Sequence, residues 1–303
     1  MSFLVLIAAL VLAHYRPLPP ALDVLRWHVS YARLLDRNLN DGHARHGVIA
    51  WGLGVFLPAL LLGAVYWELW HIALPLAAPV SMLVLYLLLD FRGFGVMAEA
   101  IAADLKNNNL PGARARLSLA TGMNAEPYGV PEVSRVAIEH TLARAHYALF
   151  APVFWFILLG PAGALLYRLA LSAKQAWAGP ESDFPRIAHR AFYWLDWLPA
   201  RATAIGFAVV GDFEDALFCW RTQAAQWKDE AMGIMLASGA GALGVRLGEP
   251  LPMSDSVEYR PELGLGDVAD ADDVMSTVGL IWRALVLMLA LMLLMTFANW
   301  LGS

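Results

Sequence analysis

Arg135, Glu139, Leu142 and His146 fall at i, i+4, i+7 and i+11. At 100° per residue they share one helix face. The spacing predicts an ion pair between Arg135 and Glu139 and places His146 where the helix runs into apolar sequence. Such a strip suits a polar pocket at a membrane surface, or an ordinary helix face ending in an interfacial histidine. A second group is Gly239-Ala-Gly-Ala-Leu-Gly-Val-Arg-Leu-Gly248. It lacks the GxxxxGK[ST] pattern of a phosphate loop. Its small residues let backbones approach closely. Arg246 then projects from a tight turn and offers a fixed fork of donors to a carboxylate or phosphate; the alternative is close helix packing with Arg246 paired to an internal acid. In Asp196-Trp-Leu-Pro-Ala-Arg201, Pro199 suits a helix's first turn and Asp196 its N-terminus.

Other groups have weaker spacing. His43 and His46 would bring two imidazoles together on a helix, but no third ligand is placed beside them. Asp267, Asp270, Asp272 and Asp273 lack the bend glycine and late glutamate of a calcium loop, and read as a solvated acidic arm. No Ser/His/Asp order, nucleophile elbow or dinucleotide fingerprint occurs.

The elements that must position these residues are those of a membrane protein. The 303 residues are 59% hydrophobic and 16% charged, with mean hydropathy +0.55, whereas soluble chains average about 45–50% and about 25%. One cysteine, Cys219, excludes an internal disulfide and a Cys-rich zinc site. The net charge of −5 and the lack of a basic run argue against a nucleic-acid partner. Phe3–Ala13 reads as a short retained helix stopped by Pro17, Pro19 and Pro20. Ala21–Asn38 reads as a basic amphipathic helix on an anionic leaflet. Val48–Tyr66, Ile72–Leu89 and Val278–Trp300 are spans, the first two joined by a Trp67–His71 hairpin. Between them lie helices at Met97–Lys106, Leu110–Leu119 and Pro131–Tyr147, and Glu249–Asp273 reads as an ordered loop or flexible arm.

One apolar stretch, 147–170, is ambiguous because Gly160-Pro161 breaks it. Basic residues number five from Tyr15 to Arg45, six from Arg92 to Arg144, nine from Arg168 to Arg260, and none in the hairpin. The positive-inside rule keeps those basic regions cytoplasmic. A full crossing at 147–170 would expel the last of them, which favours a segment that dips in and returns. The expected class is therefore all-α: a polytopic helical membrane protein with a cytoplasmic layer of amphipathic helices and one broken or re-entrant segment. Its parts are 1–90 (spans and amphipathic helix), 91–277 (core) and 278–303 (last span).

From about Leu105 to the last span the chain resembles the adenosylcobinamide-phosphate synthase family (CobD/CbiB), and especially its AmpE branch. The matching pieces are Leu117-Ser-Leu-Ala-Thr-Gly122, Ala151-Pro-Val-Phe154, Gly163-Ala-Leu-Leu-Tyr-Arg168, Pro199-Ala-Arg201, Gly241-Ala-Leu-Gly-Val-Arg-Leu-Gly248 and Glu258-Tyr-Arg-Pro261. The resemblance implies an enzyme that joins an amine to a corrinoid carboxylate with a nucleotide and a divalent metal. The synthases' acid-rich ESVAENTSDGVIAP, laid on this chain without gaps, keeps its first acid at Glu139. Other family acids or amides fall on Ala143, Arg144, Tyr147, Leu171, Lys174, Phe192 and Tyr193. Removing carboxylates removes oxygen ligands for a hard cation, and Arg144 and Lys174 favour anions instead.

That pattern matches the AmpE branch, a modulator of β-lactamase induction. The leading expectation is thus a non-catalytic regulatory protein of the bacterial inner membrane, with no cofactor and no metal. Glu139, Arg144, His146, Arg168, Lys174, Arg201 and Arg246 are its candidate pocket, holding an unknown anionic or amide-bearing ligand. Its other partners are the lipid bilayer and, through glycine-rich spans, a second copy in a homodimer. The competing expectations are a divergent synthase of cobalamin biosynthesis and a structural scaffold in which Arg135, Glu139 and His146 face solvent or pair locally.

Overall fold

The structure is a computed structural model. It describes every residue except 1, 17, 19–23, 73, 178–181, 254–255 and 302–303. The helices in chain order are α1 (Ser2–Tyr15), α2 (Val24–Leu39), α3 (Ala44–Trp51), α4 (Leu57–Ile72), α5 (Leu74–Leu88), α6 (Gly93–Lys106), α7 (Leu110–Thr121), α8 (Val130–Ala145), α9 (Ala151–Ala176), α10 (Asp183–Val210), α11 (Phe213–Gln223), α12 (Glu230–Leu243) and α13 (Ala271–Leu301). Single π-helical turns at Gly52–Phe56 and His146–Phe150 join α3 to α4 and α8 to α9. The chain is 81% helical, and Ala44–Ile72, Leu76–Lys106, Val130–Ala176 and Ala271–Ala298 are long and apolar enough to cross a bilayer. The protein is an all-α polytopic membrane protein.

Two compact units interleave along the chain. One comprises Met1–Phe91 and Tyr147–Pro199, the other Arg92–His146 and Ala200–Ser303. In the first, α1 packs on α5 and buries Leu6, Ala9, Leu10 and Ala13; Pro17, Pro19 and Pro20 lie outside the described residues. The basic helix α2 buries His28, Ala32 and Leu35 against the α3–α4 and α9 elements. Trp67–His71 does not form a connection. It continues α4 as its last turns, where His71 Nδ1 lies 2.8 Å from the Trp67 carbonyl. The reason is steric: no residue there breaks a helix, and α5 starts only at Leu74.

The stretch 147–176 folds back on itself. Gly160 has φ 65° and ψ −157°, a region open essentially to glycine. In a straight helix, residues eight apart are separated by about 12 Å. Yet a Cβ on Gly163 would stand 2.4 Å from the carbonyl oxygen of Trp155. Arg168 Nη1 donates to the Tyr147 carbonyl at 2.9 Å, a pair that a straight helix would hold roughly 31 Å apart. The arm 161–176 is roughly 24 Å long, while the arm before Gly160 continues α8 through the π-helical turn at His146–Phe150.

Proline sets the partners of this unit. Within a helix it cannot donate to the carbonyl four residues earlier, and a carbonyl left alone in lipid is costly. Pro58 frees Gly54, whose carbonyl accepts from His28 Nε2 at 2.9 Å. Pro152 frees Ala148, which accepts from the Asp90 N–H at 3.2 Å. Pro199 lies inside α10 and frees Leu195, which accepts from Trp155 Nε1 at 3.1 Å. His28 is thereby fixed as the Nε2–H tautomer, and Ser172 Oγ donates to its Nδ1 at 2.9 Å. Burial, the largest cause, holds the His28 pKa below its ordinary value.

In the second unit, α6, α7, α8 and α13 pack together, and α11 packs on α12. The segment read as a loop or arm contains short strands: β1 (Val245–Gly248), β2 (Leu251–Pro252), β3 (Val257–Glu258), β4 (Glu262–Leu263) and β5 (Asp267–Val268). β1 is central in the order β4-β1-β5, antiparallel to β4 and parallel to β5, while β2 pairs with β3. The acidic group beyond them caps α13, because Asp270 Oδ1 accepts from the N–H of Asp272 at 2.7 Å and of Asp273 at 3.1 Å.

Replacing Gly160 by alanine is expected to lower stability by about 1–3 kcal/mol. The added methyl meets nothing closer than Tyr66 at 3.6 Å, so the cost lies in the backbone. Gly206→Ala, in open space within α10, should be neutral or mildly stabilising. Thermal unfolding in detergent compares the two.

Candidate functional site

Helix α8 is the spine of the second unit. Pro131 sits in its first turn, and Glu132 Oε2 accepts from the Gly129 N–H at 2.9 Å. Nearly every residue from Val133 to Ala145 is buried. Arg135 and Glu139 are only 5% and 8% exposed, so neither charge can rely on water. Each takes its partner from the far side of the chain, not from the other, contrary to the i,i+4 expectation.

Glu139 Oε2 accepts from Arg260 Nη1 at 2.7 Å, and Oε1 accepts from Arg260 Nη2 at 3.2 Å and from the Gly248 N–H at 2.8 Å. Arg260 also donates to the carbonyls of Gly248 at 2.9 Å and Glu249 at 3.3 Å, and its guanidinium lies 5.6 Å from the Trp227 ring centroid. Both groups are saturated, in the bidentate geometry that makes arginine–carboxylate pairs strong. Arg135 Nη1 donates to Glu249 Oε2, and Nη2 to the Pro250 carbonyl at 3.1 Å. Arg246 Nη1 is 3.8 Å from Glu249 Oε1, close enough to attract but too far to hydrogen-bond.

The turn after β1 makes this possible. Gly248 has φ 71°, and a Cβ there would stand 1.9 Å from the Pro261 carbonyl oxygen. Glu249 follows with φ 58°, a left-handed conformation that a residue with a Cβ seldom adopts. The result is three arginines around two glutamates, bound to one helix. Tyr128 also belongs here. It is fully buried; burial pushes its hydroxyl pKa up, with Arg260, Glu258, Glu139 and Arg135 acting on it as charges.

Among the residues chosen from sequence, Glu139 and Arg246 thus join one cluster, linked through Glu249 and the β1 turn. His146 is buried, with Nδ1 2.9 Å from Thr203 Oγ1. Arg201 Nη2 pairs with Glu230 Oε1 at 2.9 Å. Arg144 lies half-buried in the last turn of α8. Arg168 and Lys174 belong to the first unit, where Arg168 holds the hairpin and the Lys174 ammonium lies 4.8 Å from the Phe192 ring centroid. Asp196 is not a cap. It lies in the middle of α10, buried, and accepts from the Tyr167 hydroxyl at 2.7 Å. His43 and His46 flank Asp41 at 3.2 and 2.7 Å. Arg260, Glu249, Trp227 and Tyr128 were missed. The one signal for Arg260 was its place in Glu258-Tyr-Arg-Pro261.

The model of the CobD/Cbib protein family matches residues 6–281. The chain belongs to the CobD/Cbib family. It is 34% identical over 285 residues to the cobalamin biosynthesis protein CobD of Stutzerimonas stutzeri, covering 90% of this chain and 91% of that one. It is also 34% identical over 242 residues to CobD of Chromobacterium violaceum, covering 78% and 77%. CobD of Mycobacterium tuberculosis is 30% identical over 171 residues, covering 54% of each chain. No solved structure matches.

These findings overturn the AmpE-like regulatory reading. Its weak step was to score acids by linear position. Tyr147 and Phe192 pack in an aromatic cluster with Tyr167, at centroid distances of 6.1 and 5.4 Å from Phe192, and Lys174 covers the same ring. The second unit meanwhile gathers Glu139 and Glu249 from 110 positions apart in a CobD-family chain whose relatives carry the biosynthetic name.

Glu139→Gln removes the charge that the buried Arg260 faces. It is expected to destabilise the protein by about 3 kcal/mol. Arg186→Gln breaks an exposed pair with Asp183 and should cost under about 1 kcal/mol. Unfolding of the two variants side by side checks the difference.

Proposed function

We propose that this chain is a synthase of cobalamin biosynthesis that forms the amide between an amine and a corrinoid carboxylate. The observation that carries the reading is the 34% identity to a cobalamin biosynthesis protein CobD along nine-tenths of both chains. The cluster around Glu139 supports it physically. It is a rigid, charge-rich site fixed on a buried helix, the kind of scaffold that positions substrates to within the tolerance chemistry needs. Among the described residues no group of three or more His, Cys, Asp or Glu is placed to hold a metal ion. A magnesium ion that arrives with nucleotide phosphates does not require such a group.

The membrane is proposed to be the bacterial inner membrane, with the large basic loops of the second unit on the cytoplasmic side. The six basic residues of 92–144 and most of the nine of 168–260 lie in its sequence, as the positive-inside rule favours. Nucleotide and corrinoid would then both be delivered from the cytoplasm.

Turnover tests the reading. Detergent-purified protein is incubated with adenosylcobyric acid, aminopropanol phosphate and Mg-ATP, beside an established synthase. Mass spectrometry is expected to find the corrinoid amide. Its absence beside an active control would overturn the proposal.

A further inference from the structure

Three buried donors around the β1 turn have no acceptor: the Tyr128 hydroxyl, Arg135 Nε and Arg246 Nε. Native proteins leave few such groups, and each calls for an explanation. Leaving one unpaired is costly; here two belong to arginines on one carboxylate, and the third to a tyrosine beside one of those arginines. Arg135 and Arg246 converge on opposite oxygens of the single Glu249 carboxylate. Tyr128 is close enough to Arg135 and Arg260 for both to act on its hydroxyl.

All three groups can donate a hydrogen, so the chemistry they recognise is that of an acceptor with several oxygens. The local charge agrees, since three arginines face two glutamates and Arg260 is already fully used by Glu139 and two carbonyls. Arg246 is the loosely held member. Its side chain is 36% exposed and it reaches Glu249 only at 3.8 Å, so an incoming anion can recruit it without breaking a hydrogen bond. Glu249, in its left-handed conformation, keeps both guanidinium groups in place until then.

We infer that Tyr128, Arg135 and Arg246 form an oxyanion-binding site, with the Glu139–Arg260 pair as its rigid frame. Its ligand is a phosphate or carboxylate group whose oxygens accept from the Tyr128 hydroxyl and the two Nε–H groups. The inference rests on the proposed synthase reading only in taking that group to belong to a substrate.

Arginine modification tests it on the full-length protein in detergent. Phenylglyoxal labelling of Arg246 is followed by mass spectrometry in potassium phosphate, potassium acetate and potassium chloride at equal ionic strength. Arg186, exposed and in the other unit, is the internal control. Phosphate or acetate is expected to slow labelling of Arg246 severalfold against chloride, leaving Arg186 unchanged, and the more effective ion identifies the oxyanion class. Tyr128→Phe should raise the concentration for half-protection about tenfold, the worth of one hydrogen bond to a charged group. Removing an unpartnered hydroxyl should not impair folding, and the wild-type comparison stands without the variant. Equal Arg246 labelling in all three salts would overturn the inference, as would unchanged protection in Tyr128→Phe. Protection without turnover would instead count against the synthase reading alone, and turnover without protection against the site alone.

Discussion

Glu139 and Arg260 lie 121 residues apart and share two hydrogen bonds in a nearly dry setting. An ion pair of that kind cannot straddle a bilayer, because its groups must touch. Everything between the two residues is therefore constrained to leave and come back. The chain leaves the second unit after His146 and rejoins it at Ala200. In between, 147–199 belongs to the first unit. The left-handed Gly160 and the clasp of Arg168 on Tyr147 turn the chain back on itself within the first unit.

A reversal within apolar sequence exposes backbone that apolar surroundings cannot satisfy, and prolines within the helices free further carbonyls. Those carbonyls are taken by groups distant in sequence: His28, the Asp90 amide and Trp155. Each of these bonds ties the interrupted helix to a second element. At Pro58, Pro152 and Pro199 proline thus specifies a tertiary contact, because the freed acceptor meets one well-placed donor. The aromatic cluster of Tyr147, Tyr167 and Phe192, with Lys174 over it, fills the remaining space. Buried among helices, these positions serve packing.

The parts of this architecture that follow from local rules were legible in the sequence. Apolar length gave the spans, and glycine next to proline marked the break at Gly160. Helical spacing put Arg135, Glu139 and His146 on one helix. What spacing could not give was the partners. The i,i+4 rule pairs Arg135 with Glu139, whereas burial forces each to find a charge more than a hundred residues away in a segment read as a loop. The strands β1 to β5 are two to four residues long, below the length at which alternation can be recognised. For the same reason Asp196 was read as a helix cap when it bonds Tyr167, and acids were counted as lost along the line while the fold assembled others in space. Function inferred from those losses failed with them.

The return of the chain at Gly160 is the claim on which the rest hangs, and single-cysteine labelling tests it most directly. In a Cys219→Ser background, cysteines at Glu126, Leu159 and Gln175, one at a time, are exposed to a membrane-impermeant maleimide in intact right-side-out and inverted vesicles. The account predicts that Glu126→Cys and Gln175→Cys react from the same face, and that Leu159→Cys, at the tip of the hairpin, reacts from neither. Labelling of Glu126→Cys and Gln175→Cys from opposite faces would mean that 147–176 crosses the membrane, and would contradict it.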